Sequence, residues 1–236
     1  MNGLVLREVK GGAHRWERPE EVLPPLTEHA GHARILARHA QAYNDLADRQ
    51  RRRGADVDEA GLAQAKHDHL TVVHHMLGHL PPAEAEQLGR LRVMPWDGHN
   101  DTLYNPHHHA VFLGSETVAG GHARHGRFGH MIAHELAHAV DHDGQDSRLG
   151  SLLKAKLTRA PLPEHLLTPR LRVALHDHHE WAPRLLELAL SDPARFAQLH
   201  RALKKSHGLD LYGLMKSNLG VDLPRHRRTQ RELRDT

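Results

Sequence analysis

The chain has 236 residues, of which 39% are hydrophobic and 26% charged, an ordinary balance for a globular protein of one sizeable domain or two small ones. It contains no cysteine, which excludes disulfides, cysteine-rich zinc fingers and thiol catalysis, so any metal must be held by His, Asp or Glu. The formal net charge of +3 is too small to indicate nucleic-acid binding. The 26 histidines are unusual, and we expect mild acid, which protonates them, to destabilise the fold.

The distribution of apolar residues argues against a membrane or secreted protein. No apolar run approaches the roughly 18 residues that a membrane span needs. Residues 1–12 lack the apolar stretch and small-residue cleavage site of a secretion signal. We therefore expect a cytoplasmic protein, although a mature chain trimmed of its signal would have the same features.

Apolar spacing predicts the secondary structure in chain order. Helical spacing bounded by helix-stopping residues predicts helices over three segments of the N-terminal region: 27–53, 58–78 and 82–88. Short apolar runs bounded by turn residues predict two strands, at 91–94 and 110–113. Further helices are predicted over 127–141, where Gly144 would stop the helix, and over 151–157, 177–190 and from 193 onwards.

These elements predict a mainly α fold with a small antiparallel or mixed β-sheet (α+β) and no internal repeat. We divide the chain into an N-terminal helical region (1–89), a core (90–223) and a tail (224–236). The tail carries five arginines and few apolar residues, so we expect a solvated terminus rather than a nucleic-acid contact.

The sequence His134-Glu135-Leu136-Ala137-His138 lies inside the helix predicted over 127–141. Residues four apart project from one helix face, so His134 and His138 can bind a single Zn²⁺ ion. Glu135, next to the first ligand, can act as general base on a zinc-bound water. Small and apolar residues fill most of the other positions, so the helix is expected to be buried, where polar side chains without a function would be costly. The motif therefore predicts one zinc ion per chain.

A catalytic zinc site needs a third protein ligand and an open position. The metzincin pattern, with Gly three residues after the second His, fails because Asp141 stands there, and His142 lies too far along the helix to share the ion. A later helix should therefore supply the ligand, and Glu180, 42 residues after His138, is the best candidate. The alternatives are other imidazole or carboxylate side chains downstream: His179, Glu187 and Glu164. Glu180 also fits an ordinary D-x-x-E capping box, since it lies three residues after Asp177.

The segment 134–141, H-E-L-A-H-A-V-D, resembles the H-E-x-G-H-A-x-D motif of the anthrax lethal factor family of zinc peptidases, which includes the Pro-Pro endopeptidases. In this gluzincin family two His and a downstream Glu bind zinc, so the resemblance implies a zincin-like metallopeptidase fold. Glu180 begins E-W-A-P-R where the family has an E-F-F-A-E helix, which implies that it is the third ligand. The segment 109–113 resembles the family's edge strand, which lines the cleft and can pair with extended substrate. The resemblance covers about residues 90–200.

Three positions depart from the family pattern. Ala137 replaces a Gly, Arg184 replaces a second Glu, so that this outer carboxylate is missing, and Val173 replaces a Tyr that supports the tetrahedral intermediate. His176, one helical turn before the third-ligand candidate, is our candidate for the missing hydrogen-bond donor. The alternatives are two tyrosines that could enter the cleft, Tyr104 and Tyr212.

Two further polar features carry open interpretations. Asp141 either orients a ligand histidine, as carboxylates around metal sites often do, or is a solvated aspartate at the helix end. The histidine-rich stretches 107–109 and 176–179 are interpreted as sites of weak, adventitious metal binding.

We therefore predict a zinc-dependent endopeptidase that acts on a protein or peptide, with Glu135 as general base. Three alternatives remain open. One is an intracellular regulatory protease that cleaves a transcriptional repressor: 127–136 resembles that family's R-R-F-x-x-A-H-E-L start, whereas 139–141 departs from its apolar continuation. The others are a non-catalytic, zinc-stabilised domain of the same fold and a histidine-rich metal buffer.

Overall fold

The computed structural model describes residues 5–8, 14–17, 30–99, 101–119, 127–143, 146–158, 162 and 164–223. Within these ranges the chain is mainly helical, with one small mixed sheet of three strands, which confirms the predicted α+β class. None of the helices in the described ranges combines the length and the apolar character that a bilayer crossing requires.

The helices of the described residues are α1 (Ala30–Arg52), α2 (Glu59–Leu77), α3 (Pro82–Arg90), α4 (Ser115–Ala119), α5 (Arg127–Asp141), α6 (Arg148–Leu157), α7 (Pro169–His176), α8 (Trp181–Ser191), α9 (Pro193–His207) and α10 (Leu211–Leu219). The strands are β1 (Val5–Glu8), β2 (His14–Glu17), β3 (Arg92–Trp96), β4 (Leu103–Asn105), β5 (Ala110–Gly114), β6 (His142–Asp143) and β7 (Asp146–Ser147). Short 3₁₀ turns lie at Glu164–Leu166 and His178–Glu180.

The three-stranded sheet has the order β3-β5-β4, with β3 parallel and β4 antiparallel to β5. Met94 lies opposite Phe112, and Tyr104 lies opposite Val111. The segment 109–113, expected to be the edge strand, instead forms the central strand β5. The edge on the side of α5 is β4, which has only three residues and therefore too little alternation to be predicted.

Helix α5 lies at the centre of the hydrophobic core. Its residues Phe128, Ile132, Leu136 and Val140 are fully buried, four apart along one stripe, and the helix packs against α2 and α8. Apolar side chains from α1 through the segment after α10 belong to the same core. The N-terminal region 1–89 and the region 90–223 therefore share one core in their described parts.

Most predicted helix ends agree with the structure because capping side chains mark them. Asp58 accepts a hydrogen bond from the Gly61 N–H at the start of α2, and Asp192 caps α9 in the same way. The predicted start of α5 and its last residue match the structure. The predicted stop at Gly144 and the tail 224–236 lie outside the described residues.

The prediction of one helix over 177–190 is wrong at its start. Asp177 ends α7, a helix that was not predicted from the sequence. The Asp177 carboxylate accepts a hydrogen bond from the His179 N–H, and a 3₁₀ turn begins there. Helix α8 begins only at Trp181. The Asp177 cap was therefore predicted correctly, but it opens a tight turn rather than the long helix.

A chain of hydrogen bonds between buried side chains joins α1, α2 and α3. The Tyr43 hydroxyl lies 2.8 Å from Nδ1 of His69, and Nε2 of His69 lies 3.0 Å from Nδ1 of His39. Nε2 of His39 in turn lies 3.4 Å from the Leu88 carbonyl oxygen. All contacts are satisfied when the hydroxyl and both Nε2–H groups donate towards Leu88, so both imidazoles are neutral. If His39 were protonated, its Nδ1–H would face the Nε2–H of His69, and the hydrogen bond between the two rings in these tautomers would be lost.

This neutral pair predicts a loss of stability in acid. Burial lowers the pKa of His39 to about 4 and the pKa of His69 well below its ordinary value. The unfolded chain binds protons below its histidine pKa of about 6.5, whereas the folded chain does not. The free energy of unfolding is therefore highest above about pH 6.5. It falls as the pH drops towards 4, by about 1.4 kcal/mol per pH unit for each such histidine.

Urea unfolding of the metal-free protein between pH 7.5 and 5 measures this loss. We expect His69→Gln to be less stable than the wild type at neutral pH but to lose stability less steeply as the pH falls. His176→Gln, at an exposed histidine, is the matched control and should keep the wild-type slope. Equal slopes for His69→Gln and the wild type would show that the buried histidines do not cause the acid sensitivity.

Candidate metal centre

Three side chains that the sequence analysis selected as zinc ligands come together beside α5. Each of His134, His138 and Glu180 offers one ligand atom, and these atoms all lie within 4.8 Å of one another. Nε2 of His138 lies 3.4 Å from Oε1 of Glu180, and Nε2 of His134 lies 3.8 Å from Oε2. Ligand atoms about 2.0 Å from a tetrahedral zinc ion are separated by about 3.3 Å, so small side-chain movements suffice to hold the ion.

The packing of α8 against α5 explains this convergence. Trp181, Ala182, Leu185 and Leu186 are buried, and α8 packs closely along α5. Glu180 is the last residue of the 3₁₀ turn that leads into α8, so this packing brings its carboxylate to the two imidazoles. The capping-box alternative for Glu180 predicts a carboxylate directed at its own helix start, whereas here it faces the histidines.

The protonation states of His134 and Glu180 suit metal binding. Burial, followed by the charge of His138, lowers the pKa of His134 to about 3, so its imidazole is neutral near pH 7. The hydrogen bond with His138 lowers the pKa of Glu180 to about 2, so this carboxylate is ionised. A neutral imidazole and an ionised carboxylate are the forms that coordinate zinc.

Three atoms at this site are buried without a hydrogen-bond partner: Nδ1 of His134, Oε2 of Glu180 and Nε of Arg184. Nε of Arg184 lies 2.8 Å from that oxygen, near enough for an ion pair but without the alignment of a hydrogen bond. Buried polar atoms without partners are costly, and a cation bound between the three side chains would satisfy the Glu180 oxygen. The residues present therefore fit a zinc ion.

Glu187 provides the outer carboxylate that the sequence analysis considered missing. Its Oε1 lies 3.7 Å from Nδ1 of His134, and its Oε2 lies 2.8 Å from Nη1 of Arg184. Arg184 thus bridges Glu180 and Glu187, and Glu187 faces the ring nitrogen of His134 opposite to the one near Glu180. At 3.7 Å its contact with Nδ1 is longer than a hydrogen bond, and Glu187 lies outside the group of three ligand atoms, so we expect it to orient the His134 imidazole rather than to bind the ion.

Glu135 faces the same cleft and is held by the edge strand. Its Oε2 accepts a hydrogen bond of 2.6 Å from the backbone N–H of Tyr104 in β4. Burial raises the pKa of Glu135 to about 7, and the charge of His138 opposes this shift. A carboxylate with a pKa near neutrality can both accept and release a proton at physiological pH.

The cleft around these groups has a volume of about 470 Å³ and is lined by residues from β4, α5, the β6–β7 hairpin and the turn before α8. They are Leu103, Tyr104, Pro106, His134, Glu135, His138, Asp141, His142, Ser147, Asp177, His179 and Glu180. Three of these residues were not predicted as site residues, Leu103, Pro106 and Ser147, since nothing in their local pattern distinguishes them from ordinary loop residues.

Several candidates from the sequence lie away from this cleft. His176, the candidate hydrogen-bond donor, is exposed at the end of α7 and lines a separate cavity with Lys154 and Trp181, because α7 ends before the turn that carries Glu180. This placement removes the geometric basis for a catalytic His176. The other candidates outside the cleft are Tyr212, which packs against Phe196 and His200, and Glu164, which pairs with Arg172. Val173, which stands in place of the family's tyrosine, is exposed.

Tyr104 is the tyrosine that does enter the cleft. Its ring lies parallel to that of His138, with centroids 6.3 Å apart. Its hydroxyl lies 3.0 Å from Nδ1 of His109, whose Nε2 lies 2.9 Å from the Gln87 carbonyl oxygen. Burial raises the pKa of Tyr104 to about 12, so the hydroxyl keeps its proton and donates to His109.

Asp141 has a structural role that neither interpretation of the sequence anticipated. It is buried, and its carboxylate accepts hydrogen bonds from the Ser147 hydroxyl and, at 2.8 Å, from the Leu149 N–H. Burial raises its pKa, and these hydrogen bonds oppose the shift. Asp141 therefore joins the end of α5 to the start of α6 and is neither solvated nor directed at a ligand histidine.

Helix α6 approaches the turn that carries Glu180 through a glycine. A Cβ atom added to Gly150 would lie 2.8 Å from the carbonyl carbon of His178 and closer still to its oxygen. The backbone of the His178–Glu180 turn therefore rests directly on the first turn of α6. Any larger residue at position 150 would displace either the His178–Glu180 turn or the first turn of α6.

Comparison of the chain with protein-family models, with curated proteins and with solved structures gives no match. The resemblance to the lethal factor family therefore rests on the motif residues alone.

Gly150→Ala should weaken the candidate metal centre from outside the cleft. The added methyl group must separate α6 from the His178–Glu180 turn, at a cost of about 1–3 kcal/mol in the free energy of unfolding. Zinc affinity should fall with it because Glu180 moves. Urea unfolding and a competitive chelator titration measure the two effects. Gly31→Ala, where a Cβ meets nothing within 4 Å, is the control and should preserve both; wild-type values for Gly150→Ala would contradict the close approach.

Glu187→Gln should lower zinc affinity by about 10–100-fold, because the outer carboxylate orients the His134 ring and increases its basicity. A chelator competition at pH 7 measures the change. Glu164→Gln is the matched control, since this exposed glutamate pairs only with Arg172 among the ion pairs described here and should leave affinity unchanged. Equal affinities for the two variants would exclude an orienting role for Glu187.

Proposed function

We propose that the chain is a zinc-dependent endopeptidase with a zincin-like fold, in which His134, His138 and Glu180 hold the ion and Glu135 is the general base. One observation carries the proposal: the three ligand atoms and the Glu135 carboxylate meet in a single cleft, although Glu180 lies 42 residues beyond His138. A short antiparallel edge strand beside the motif helix supports the zincin-like arrangement.

The chemistry is divided between the ion and the chain. Two histidines and one glutamate are a ligand set found in catalytic zinc sites, which keep a further position open. When bound, zinc lowers the pKa of a water molecule towards about 7 and polarises a carbonyl group. Glu135 takes a proton from the attacking water and delivers it to the leaving amine nitrogen. The Tyr104 N–H holds the Glu135 carboxylate at the cleft while this transfer occurs.

The edge strand supports a peptide as the substrate. The Tyr104 N–H points away from β5 and towards the cleft, and in an antiparallel strand the carbonyl of the same residue lies on the same edge. Because the Tyr104 N–H is taken by Glu135, an extended peptide can donate a backbone N–H to the Tyr104 carbonyl at this edge. Leu103 and Pro106 add apolar surface to the same wall of the cleft.

A non-catalytic, zinc-stabilised domain is the second candidate. It is favoured by the hydroxyl of Tyr104, which is directed at His109, and by the exposed Val173 at the family's tyrosine position. In that case the centre has metal ligands but no preset donor for a developing oxyanion.

Glu135→Gln tests the peptidase proposal. We expect hydrolysis of an internally quenched peptide library to fall by about 10²–10⁴-fold, because a glutamine cannot accept the proton, while one equivalent of zinc is still bound at this centre. Glu116→Gln, at an exposed glutamate of α4, should retain activity. Full activity in Glu135→Gln would refute the mechanism.

The two candidates differ in the activity of the wild type, whereas both predict that the loss of zinc lowers stability. For a non-catalytic domain, no peptide is cleaved by the wild type, Glu135→Gln unfolds at the wild-type temperature, and His138→Ala unfolds at a lower temperature because it loses the ion. For the peptidase, His138→Ala loses both zinc and activity.

A further inference from the structure

A second group of metal-ligating side chains lies next to the first and shares none of its residues. Asp146 in β7 and His178 and His179 in the 3₁₀ turn each offer one ligand atom, and these atoms lie within 4.8 Å of one another. The three residues come from segments more than 30 positions apart, so tertiary packing brings them together.

The contacts within this group orient the carboxylate. Oδ1 of Asp146 lies 2.6 Å from Nε2 of His178 and accepts a hydrogen bond of 3.0 Å from the Ser147 N–H. The Ser151 hydroxyl donates to Oδ2 at 2.8 Å. The imidazole rings of His178 and His179 lie side by side, with centroids 4.2 Å apart. An ion pair between Asp146 and His178 explains the first contact but gives no role to His179.

The backbone around the group is held independently of any metal. The Asp177 carboxylate fixes the turn through the His179 N–H, and Gly150 lets the first turn of α6 rest on the His178 backbone. The Ser147 hydroxyl accepts from the Gly150 N–H and caps α6 immediately after Asp146. The backbone that carries the ligand side chains is thus ordered before an ion binds, which lowers the entropic cost of binding.

We propose that Asp146, His178 and His179 form a second divalent-metal site. Two imidazoles and one carboxylate suit zinc and the neighbouring transition metals rather than magnesium or calcium. The Asp146 side chain is 61% exposed, so water competes for the site and the second ion binds more weakly than the first. The bound ion ties β7 to the turn whose last residue is Glu180, and so braces the third ligand of the first centre.

Zinc titration of a chain whose first centre is disabled tests the site directly. In full-length His138→Ala we expect calorimetry to show one weak zinc equivalent at this cluster, accompanied by a rise in the thermal unfolding temperature. Adding His178→Ala should abolish both signals. Adding Asp146→Ala, at an exposed position, should do the same and provides the decisive variant if the His178 double variant does not fold.

His176→Ala in the same His138→Ala background is the matched control. His176 is exposed two residues before His178 and lies outside the cluster, so this variant should keep the weak equivalent and the thermal shift. The proposal is overturned if no equivalent binds, if it survives both cluster substitutions, or if His176→Ala removes it equally, as scattered binding to a histidine-rich surface would. None of these measurements depends on peptidase activity, so failure of the proposed function leaves the test intact.

Discussion

The approach of one carboxylate to two imidazoles on α5 is the constraint on which the rest of the cleft depends. His134 and His138 stand on a helix whose apolar stripe is buried between α2 and α8. Polar rings in such a place are costly without partners, and Glu180 brings a carboxylate oxygen to 3.4 Å from the His138 ring nitrogen and 3.8 Å from that of His134. Glu180 can do so only because the apolar face of α8 fixes the start of that helix against α5. Packing of the core and assembly of the candidate metal centre therefore depend on the same contacts.

The parts of the site that lie within one helix were predictable from the sequence. Residues at positions 134, 135 and 138 share a face as a consequence of the helical repeat, and the apolar residues between them predict burial. Glu180 could be predicted only from its position relative to a known motif, because no local pattern distinguishes a metal-ligand glutamate from a glutamate at a helix start. The mainly α architecture followed in the same way from apolar spacing and capping residues.

The remaining features depend on contacts between distant segments, which local patterns do not encode. The edge strand β4 has three residues and is defined by its pairing with β5 and its bond to Glu135. Glu187 substitutes for a carboxylate expected three residues earlier, which only the relative placement of α5 and α8 reveals. His176 was selected because it lies one helical turn before Glu180 in the sequence, and the break at Asp177 leaves it exposed at the end of α7, outside the cleft.

The bonds made by Asp141 have a mechanical consequence. Since its carboxylate holds the Ser147 hydroxyl and the Leu149 N–H, the hairpin after α5 and the beginning of α6 are fastened to the motif helix itself. His142 and Ser147, which line the cleft, thus belong to the same rigid piece as His138. One wall of the cleft cannot open as a lid without bending the helix that carries the ligands. Adaptation to different occupants must come from the opposite wall, where β4 presents Leu103, Tyr104 and Pro106 on a short strand.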